Sequence, residues 1–255
     1  MLQQTRLLKI QSLLGQYRQL SNDQLMDALN VSRETIRRDI IKLTHQGLAQ
    51  RVHGGILALD TPAEPPLIIR QGARTQEKIH IAKQCAQLIA PEQTIFIDAG
   101  STTSHLAEQL KAPMNLTIIT NSLQVALTLN HGQNPTHNEV ILLGGNMLAG
   151  ANETRGGETI NAIYRYQADV AVVSPVGIHA SGISSYYQWE SAIAEAMFAQ
   201  SKQHIVLADH SKVGKVSRFI YAPLTAVDKL VTNQNVNNTV FLEQIAQQGV
   251  DVYCT

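Results

Sequence analysis

Hydrophobic and polar positions divide the chain into two regimes. Over residues 1–46, apolar residues recur at helical spacing in three short runs. Leu7, Ile10, Leu13 and Leu14 predict one face of a first helix, running roughly from Thr5 to Gly15. Ser21 suits the cap of a second helix that turns Leu25, Met26 and Leu29 inward. After a turn at Asn30-Val31-Ser32, Ser32 caps a third helix. Its Ile36, Ile40 and Leu43 repeat on one side, and Gly47 ends it. Leu48–Leu57 then predicts a short hairpin with a basic tip.

Beyond Thr75 the pattern changes. Short β-branched runs stand at Thr94–Asp98, Leu116–Thr120, Glu139–Leu143, Asp169–Ser174, His204–Ala208, Lys229–Thr232 and Val250–Tyr253. Helix-period stretches separate most of them: Gln76–Ala90, Thr103–Lys111, Leu123–Asn130, Thr159–Tyr166, Trp189–Gln200 and Val236–Gln248. Alternation of near-continuous apolar strands with helices predicts an α/β domain. Its mostly parallel sheet would be covered on both faces. Between the regimes, Asp60-Thr61-Pro62-Ala63-Glu64-Pro65-Pro66 predicts a stiff, extended linker, because proline removes donors and restricts its neighbours. The expected organisation is a head over 1–58, a linker over 59–75 and a larger domain over 76–255.

Charge sharpens this division. The chain has 20 basic and 20 acidic residues, so a uniformly basic nucleic-acid coat is excluded. Yet residues 1–58 hold eight basic residues and only four acids, a net +4 balanced by −4 elsewhere. A basic head on a mildly acidic body points to a polyanionic partner for the head. The two cysteines, Cys85 and Cys254, make no metal-ligand spacing and no disulfide framework. The start of the chain lacks the apolar stretch of a signal peptide, and no run approaches a membrane span. The expectation is a soluble, cytoplasmic protein without a membrane partner.

On the third helix, the side opposite the apolar stripe carries Arg33, Thr35, Arg37, Arg38 and Lys42. With Ser32 at the helix start and Arg51 and His53 on the wing, this is the donor set for double-stranded DNA. Arg37 and Arg38 are adjacent at 100° per residue and cannot both enter one groove. One is expected to read a base or phosphate while the other holds a backbone phosphate or pairs with Asp39 or Glu34.

In the body, Asp98-Ala99-Gly100-Ser101-Thr102-Thr103 follows a strand and opens a helix. Small residues there expose backbone N–H groups, which suits a phosphate or carboxylate. Asp98 would repel a bare anion but would accept from a sugar hydroxyl, so a phosphorylated polyol satisfies both. Further polar or glycine-rich strand ends stand at Thr120-Asn121-Ser122, Gly144-Gly145, Ser174-Pro175-Val176-Gly177 and Asp209-His210-Ser211-Lys212. In open α/β sheets, ligands bind outside such strand ends. Asp98, Gly100, Ser101, Thr102, Thr103, Asn121, Gly144, Gly145, Gly177 and Lys212 are the candidate effector-binding residues, with Lys212 a mobile charge for a phosphate.

These motifs resemble the DeoR family of bacterial regulators. The head does so through Val31–Ile40, Gly47 and Arg51-Val52-His53-Gly54-Gly55. The body does so through Asp98–Thr103, Thr120-Asn121-Ser122, Leu142–Gly145 and Ala208–Lys212 with Gly214. The resemblance covers nearly the whole chain in the family's order. It implies a winged helix-turn-helix repressor whose effector domain is similar in fold to ribose-5-phosphate isomerase and senses a phosphorylated sugar. The chain departs from the pattern at Ala194, where a lysine is expected, and at Ser174-Pro175.

The expected protein is therefore a repressor of a sugar or polyol operon. It would act as a homo-oligomer that reads paired half-sites, and a phosphorylated sugar would release it from its operator. Two rivals use the same parts: an activator, and an isomerase-like enzyme with Asp98, Glu190 and Lys212 as acid, base and electrostatic stabiliser. No phosphate-binding loop, dinucleotide fingerprint or HExxH motif occurs. His131 and His137 flank a polar loop with no third ligand nearby, Cys85 suits a core position, and Tyr186, Tyr187 and Trp189 suit packing. No cofactor or metal is expected.

Overall fold

A computed structural model describes residues 2–17, 19–46, 48–58, 64–65, 67–110, 114–130, 138–148 and 152–255. Gly47, Lys111, His131, His137 and most of the proline-rich linker lie outside them. The chain divides into two compact units, Met1–Ile69 and Arg70–Thr255.

In the first unit, α1 (Gln3–Tyr17), α2 (Asn22–Leu29) and α3 (Arg33–His45) enclose Leu7, Ile10, Leu14, Leu25, Ile36, Ile40 and Leu43, all buried. Ser21 and Gln24 form a reciprocal capping box at the start of α2. Asn30, in the left-handed region at φ 50°, ends that helix and permits the tight turn into α3. The wing hairpin pairs β2 (Gln50–Val52) with β3 (Gly55–Leu57). A strand absent from the sequence reading, β1 (Gln19–Ser21), adds to its other side, giving the order β1-β3-β2. A Cβ on Gly55 would lie 2.2 Å from the Leu20 carbonyl oxygen, so glycine lets the two strands approach.

A short helix, α4 (Leu67–Gly72), crosses the division, and α5 (Thr75–Ala86) follows. The second unit then continues as β4 (Thr94–Ile97), α6 (Ser101–Gln109), β5 (Thr117–Thr120), α7 (Leu123–Leu129), β6 (Glu139–Leu142) and a hairpin of β7 (Asn146–Leu148) with β8 (Glu153–Arg155). Next come α8 (Gly157–Ile163), β9 (Ala168–Val173), β10 (Gly177–His179), β11 (Gly182–Ser185), α9 (Gln188–Ala199) and β12 (Ser201–Leu207). The chain closes with β13 (Phe219–Ala222), β14 (Lys229–Thr232), α10 (Thr239–Gln247) and β15 (Asp251–Cys254).

Seven strands form one sheet, ordered β15-β14-β12-β9-β4-β5-β6, and every pair is parallel. Alternation along β4 shows how it is sandwiched. Ile95 and Ile97 face a core with Ile81, Cys85, Leu106 and Val125 of α5, α6 and α7. Phe96 faces the other core, with Ile163, Ile193, Met197 and Ile245 of α8, α9 and α10. Full burial of Cys85 pushes its thiol up to about 12, which fits the expected core role. Among the described residues no helix is long and apolar enough to cross a membrane.

The strand order also sets the place of a crevice. From β4 the chain builds outward through β5 and β6, then returns to the other side of β4 at β9. The carboxyl ends of β4 and β9 therefore diverge at a topological switch point, where such sheets open.

Candidate functional site

The head presents a concave basic surface. Arg37 of α3 lines a depression together with Arg51, Val52, His53 and Gly54 of the wing. Ser32 accepts from the Thr35 backbone N–H at 3.3 Å, and the two hydroxyls lie 2.9 Å apart. Arg33 pairs with Asp23 at 2.8 Å on the surface, and Lys42 donates to Gln3 at 3.1 Å.

Of the two acidic partners expected for Arg37 or Arg38, Glu34 is used and Asp39 is not. Both arginines pair with the same carboxylate, Glu34, at 3.0 and 3.1 Å, and both stay exposed. Asp39 is unavailable to either. Its carboxylate is fully buried and accepts from Arg6 at 2.6 Å and Gln3 at 3.1 Å. The Arg37 and Arg38 guanidiniums hold the Glu34 carboxyl below its usual range.

In the second unit, a crevice opens at the switch point. Asp98 stands after β4, and its Oδ2 accepts from the backbone N–H of Ser174, after β9, at 2.9 Å. One carboxylate thus spans the divergence of the two strands. Asn121 follows β5, and its Nδ2 donates to the Thr154 carbonyl at 3.2 Å, which fixes its Oδ1 as the inward atom. Glu153 enters from β8 and Glu190 from the first turn of α9. Ser185 donates to Glu190 Oε2 at 2.7 Å, while Arg70, Ala194 and Tyr221 complete the wall.

Among the described residues, two buried acceptors there, Asp98 Oδ1 and Asn121 Oδ1, have no hydrogen-bond partner. Burial pushes the Asp98 carboxyl up to about 7, against the Ser174 N–H and the nearby Thr103 hydroxyl, which pull it down, and Glu190 adds to the rise. Burial, then Glu190, likewise push Glu153 up to about 7. Between about pH 4 and 7 the native protein therefore holds an Asp98 proton that the unfolded chain releases, and stability falls as pH rises through that window. Asp98→Asn removes this ionisation while keeping an acceptor for Ser174. The variant should be more stable than the parent at pH 8 by about 1–2 kcal/mol, after discounting for the partial exposure of the residue. Urea unfolding from pH 5 to 8 tests this, because the gap should widen with pH. A gap that is flat, or that narrows, contradicts a proton on Asp98.

The remaining candidate residues fall into four places. Ser101, Thr102 and Thr103 form the buried first turn of α6, and the Thr103 hydroxyl contacts the Asp98 and Gly100 carbonyls at 3.0 and 3.1 Å. Gly100 precedes that helix, and a Cβ on it would lie 3.0 Å from the Ser174 Cβ. Gly144 and Gly145 lie beneath the β7–β8 hairpin, where Thr159 donates to the Gly144 carbonyl at 2.8 Å. At Gly145, φ is +140°, and a Cβ would lie 2.0 Å from that same hydroxyl. Gly177 packs against the Lys215 carbonyl, away from the crevice lining.

Lys212 belongs to a different group. Its backbone N–H donates to the Asp209 carbonyl at 2.9 Å. Its charge acts with Arg74 on the buried Asp209 carboxylate. Burial would raise that group, but Ser211, Arg74 and Lys212 hold it below its usual value. Lys78 lies in the same field. It donates to the Arg70 and Ala73 carbonyls, and burial lowers it to about 8. Among the described residues, the trio whose ligand atoms lie within 4.8 Å of one another is Glu77, Asp209 and His210. Those atoms are already engaged, His210 with Glu77 at 2.9 Å and Asp209 with Arg74 at 2.9 Å.

Glu153 was absent from the candidates, because β8 is a three-residue strand with no readable alternation. Tyr187 and Trp189 do pack, as a stacked pair with centroids 4.3 Å apart, and Arg155 covers the indole at 4.6 Å.

The two halves also match known families in order. The DeoR-like helix-turn-helix domain matches residues 6–61 and the DeoR C terminal sensor domain residues 73–234. The HTH-type transcriptional repressor GlcR of Bacillus subtilis (strain 168) is 32% identical over 259 residues, covering 100% of this chain and 97% of that protein. The glycerol-3-phosphate regulon repressor of Escherichia coli (strain K12) is 30% identical over 215 residues, 84% of each chain. Among solved structures, ribose 5-phosphate isomerase A of Methanocaldococcus jannaschii is 14% identical with a TM-score of 0.40, over 55% of each chain. With both domain matches in register and a relative aligned from end to end, the chain belongs to the DeoR family of transcriptional regulators.

Proposed function

We propose that this regulator is a repressor of a sugar or polyol operon, and that a phosphorylated sugar or polyol in the switch-point crevice releases it from operator DNA. The observation that carries the effector half is the pair of unpartnered acceptors, Asp98 Oδ1 and Asn121 Oδ1, buried in a crevice where a ligand's hydroxyls would satisfy them. Relatives named as repressors, one of them of a glycerol-3-phosphate regulon, support the repressor and phosphate parts. The isomerase alternative is set aside: the family regulates transcription, and a shared fold carries no chemistry of its own.

In this reading Ser32, Arg33, Thr35, Arg37, Arg38, Lys42, Arg51 and His53 contact double-stranded DNA. The head spans 1–58 and the effector domain 76–255, joined by 59–75. Asp98 and Asn121 bind hydroxyls. The N-terminal amides of α6 at Ser101, Thr102 and Thr103 take the phosphate with Lys212, and Gly100, Gly144, Gly145 and Gly177 shape the surrounding loops. A homo-oligomer presents two heads to paired half-sites.

A ligand that binds the native state raises its melting temperature. Phosphorylated sugars and polyols should therefore raise it, and the matching free compounds should not. Those that do so should also dissociate the protein from a duplex selected from random sequence. If only unphosphorylated compounds shift the melt, the phosphate assignment fails. If a bound sugar phosphate tightens DNA binding, release is the wrong direction.

A further inference from the structure

The exposed side of α3 carries an acid among its bases. Of the two acids on that helix, Asp39 is buried and held by Arg6. The Glu34 side chain is 52% exposed and lies one turn before Arg37 and Arg38. Ser32 caps the helix, so Glu34 is its second residue, in the turn that recognition helices set against base edges. Three contacts hold the carboxylate there. Oε2 accepts from Arg37 Nε at 3.0 Å, and Oε1 accepts from Arg38 Nε at 3.1 Å and from an Arg37 Nη at 3.5 Å. A carboxylate has about four acceptor sites, so the arginines leave room for a further donor. An arginine that transfers to DNA frees more.

An acid on a DNA-facing surface discriminates by what it meets. Phosphate oxygens offer it no donor and repel it at close range. In the major groove guanine presents acceptors at N7 and O6, and thymine an acceptor at O4, so neither satisfies a carboxylate. Adenine offers its N6 amine, but the N7 acceptor stands beside it. Cytosine offers its N4 amine with no acceptor alongside. Cytosine is therefore the base from which a carboxylate in this turn accepts without facing a second lone pair. Its partner strengthens the choice. Guanine N7 and O6 take a guanidinium, and both Arg37 and Arg38 lie within hydrogen-bond distance of Glu34. Glu34 and an arginine can address cytosine and guanine of the same or adjacent pairs while remaining neighbours.

We propose that Glu34 is a base-reading residue, which accepts from a cytosine N4 amine in each operator half-site. The same carboxylate weakens binding to duplexes without cytosine at that position, because there it faces acceptors and phosphates alone. The proposal rests on the reading of α3 as the helix that enters the major groove.

The test uses the full chain and duplexes selected by it from random sequence, titrated at fixed salt. Each cytosine of a half-site is replaced in turn by N4-methylcytosine. That base still pairs with guanine, but it puts a methyl group where the major-groove amine hydrogen stood. At one position the replacement should cost the parent about tenfold or more in affinity. Glu34→Ala should narrow that cost to about threefold or less, since no acceptor remains to lose its donor. The same variant should bind a scrambled duplex more tightly than the parent does, because an acid facing the phosphates has been removed. The melting temperature shows that the variant is folded. Should Glu34→Ala not fold, Glu34→Met, of similar length and without an acceptor of that kind, carries the test.

A parent indifferent to methylation at every cytosine overturns the inference. A methylation cost that persists in full in the folded variant also overturns it, by assigning the amine to another residue. Either result leaves α3 in the major groove, provided that Arg37→Ala and added salt still weaken binding. Affinity indifferent to Glu34, to both arginines and to salt overturns the inference and the reading of α3 together.

Discussion

A protein carrying both Arg37→Ala and Arg38→Ala is expected to lose operator affinity by about two to four orders of magnitude, at about tenfold to a hundredfold per contact. In the free protein the two guanidiniums share the single carboxylate of Glu34 and remain exposed. Surface pairs of this kind are weak, so a phosphate or a guanine edge exchanges for Glu34 readily. Arg37 also lines the depression shared with Arg51 and His53, which places it where α3 and the wing converge. Arg38 lies 100° further round the helix, on the side suited to a flanking phosphate. The two losses should therefore differ in kind. Arg37→Ala should relax sequence preference, whereas Arg38→Ala should weaken all duplexes alike and lower the salt slope by about one. Titration of a selected duplex and a scrambled one at several salt concentrations separates these effects. Affinity indifferent to both arginines and to salt would remove α3 from the interface.

How much of this arrangement was legible beforehand depended on whether a feature repeats along the chain. The third helix was readable because Ile36, Ile40 and Leu43 repeat at helical spacing and all three are buried. The sheet was readable because its central strands are buried on both faces and are accordingly apolar at nearly every position. The short elements were not. The strands β1 and β8 have three residues each, too few for a period, yet one completes the wing sheet and the other delivers Glu153. Convergence was only half legible. A strand end announces itself by polar residues, but which ends meet depends on strand order. The return of β9 to the side of β4 brings Ser174 onto Asp98, while Lys212, after β12, joins Arg74, Lys78 and Asp209. The role of Asp39 was hidden for a similar reason. Its neighbours in sequence suggested a surface partner, but its partner is Arg6, on another helix.

Arg6→Ala is expected to destabilise the head by roughly 3 kcal/mol, near the low end for breaking a buried ion pair. Asp39 is 0% exposed, and Arg6 grips both its oxygens, with Nε at 2.6 Å and a second nitrogen at 3.1 Å. Removing the guanidinium leaves a buried carboxylate to which the Gln3 side chain still donates, at 3.1 Å. The loss is large for a unit of this size, because a small domain buries a modest fraction of its surface and has little stability to spare. The pair also ties α1 to α3, so its loss should loosen the helix that carries Arg37 and Arg38. Amide exchange along α1 and α3 should accelerate strongly, and exchange in the central strands β4 and β9 should not change. Operator binding should weaken although no residue of the DNA-facing surface has been altered. A second variant removes the stranded charge and keeps the volume of both side chains. Arg6→Met combined with Asp39→Leu replaces the pair by apolar side chains of similar volume, which in buried sites is often neutral or stabilising. The double variant should recover most of the protection in α1 and α3. If it is no better than Arg6→Ala, the orphaned carboxylate is not what destabilises the head.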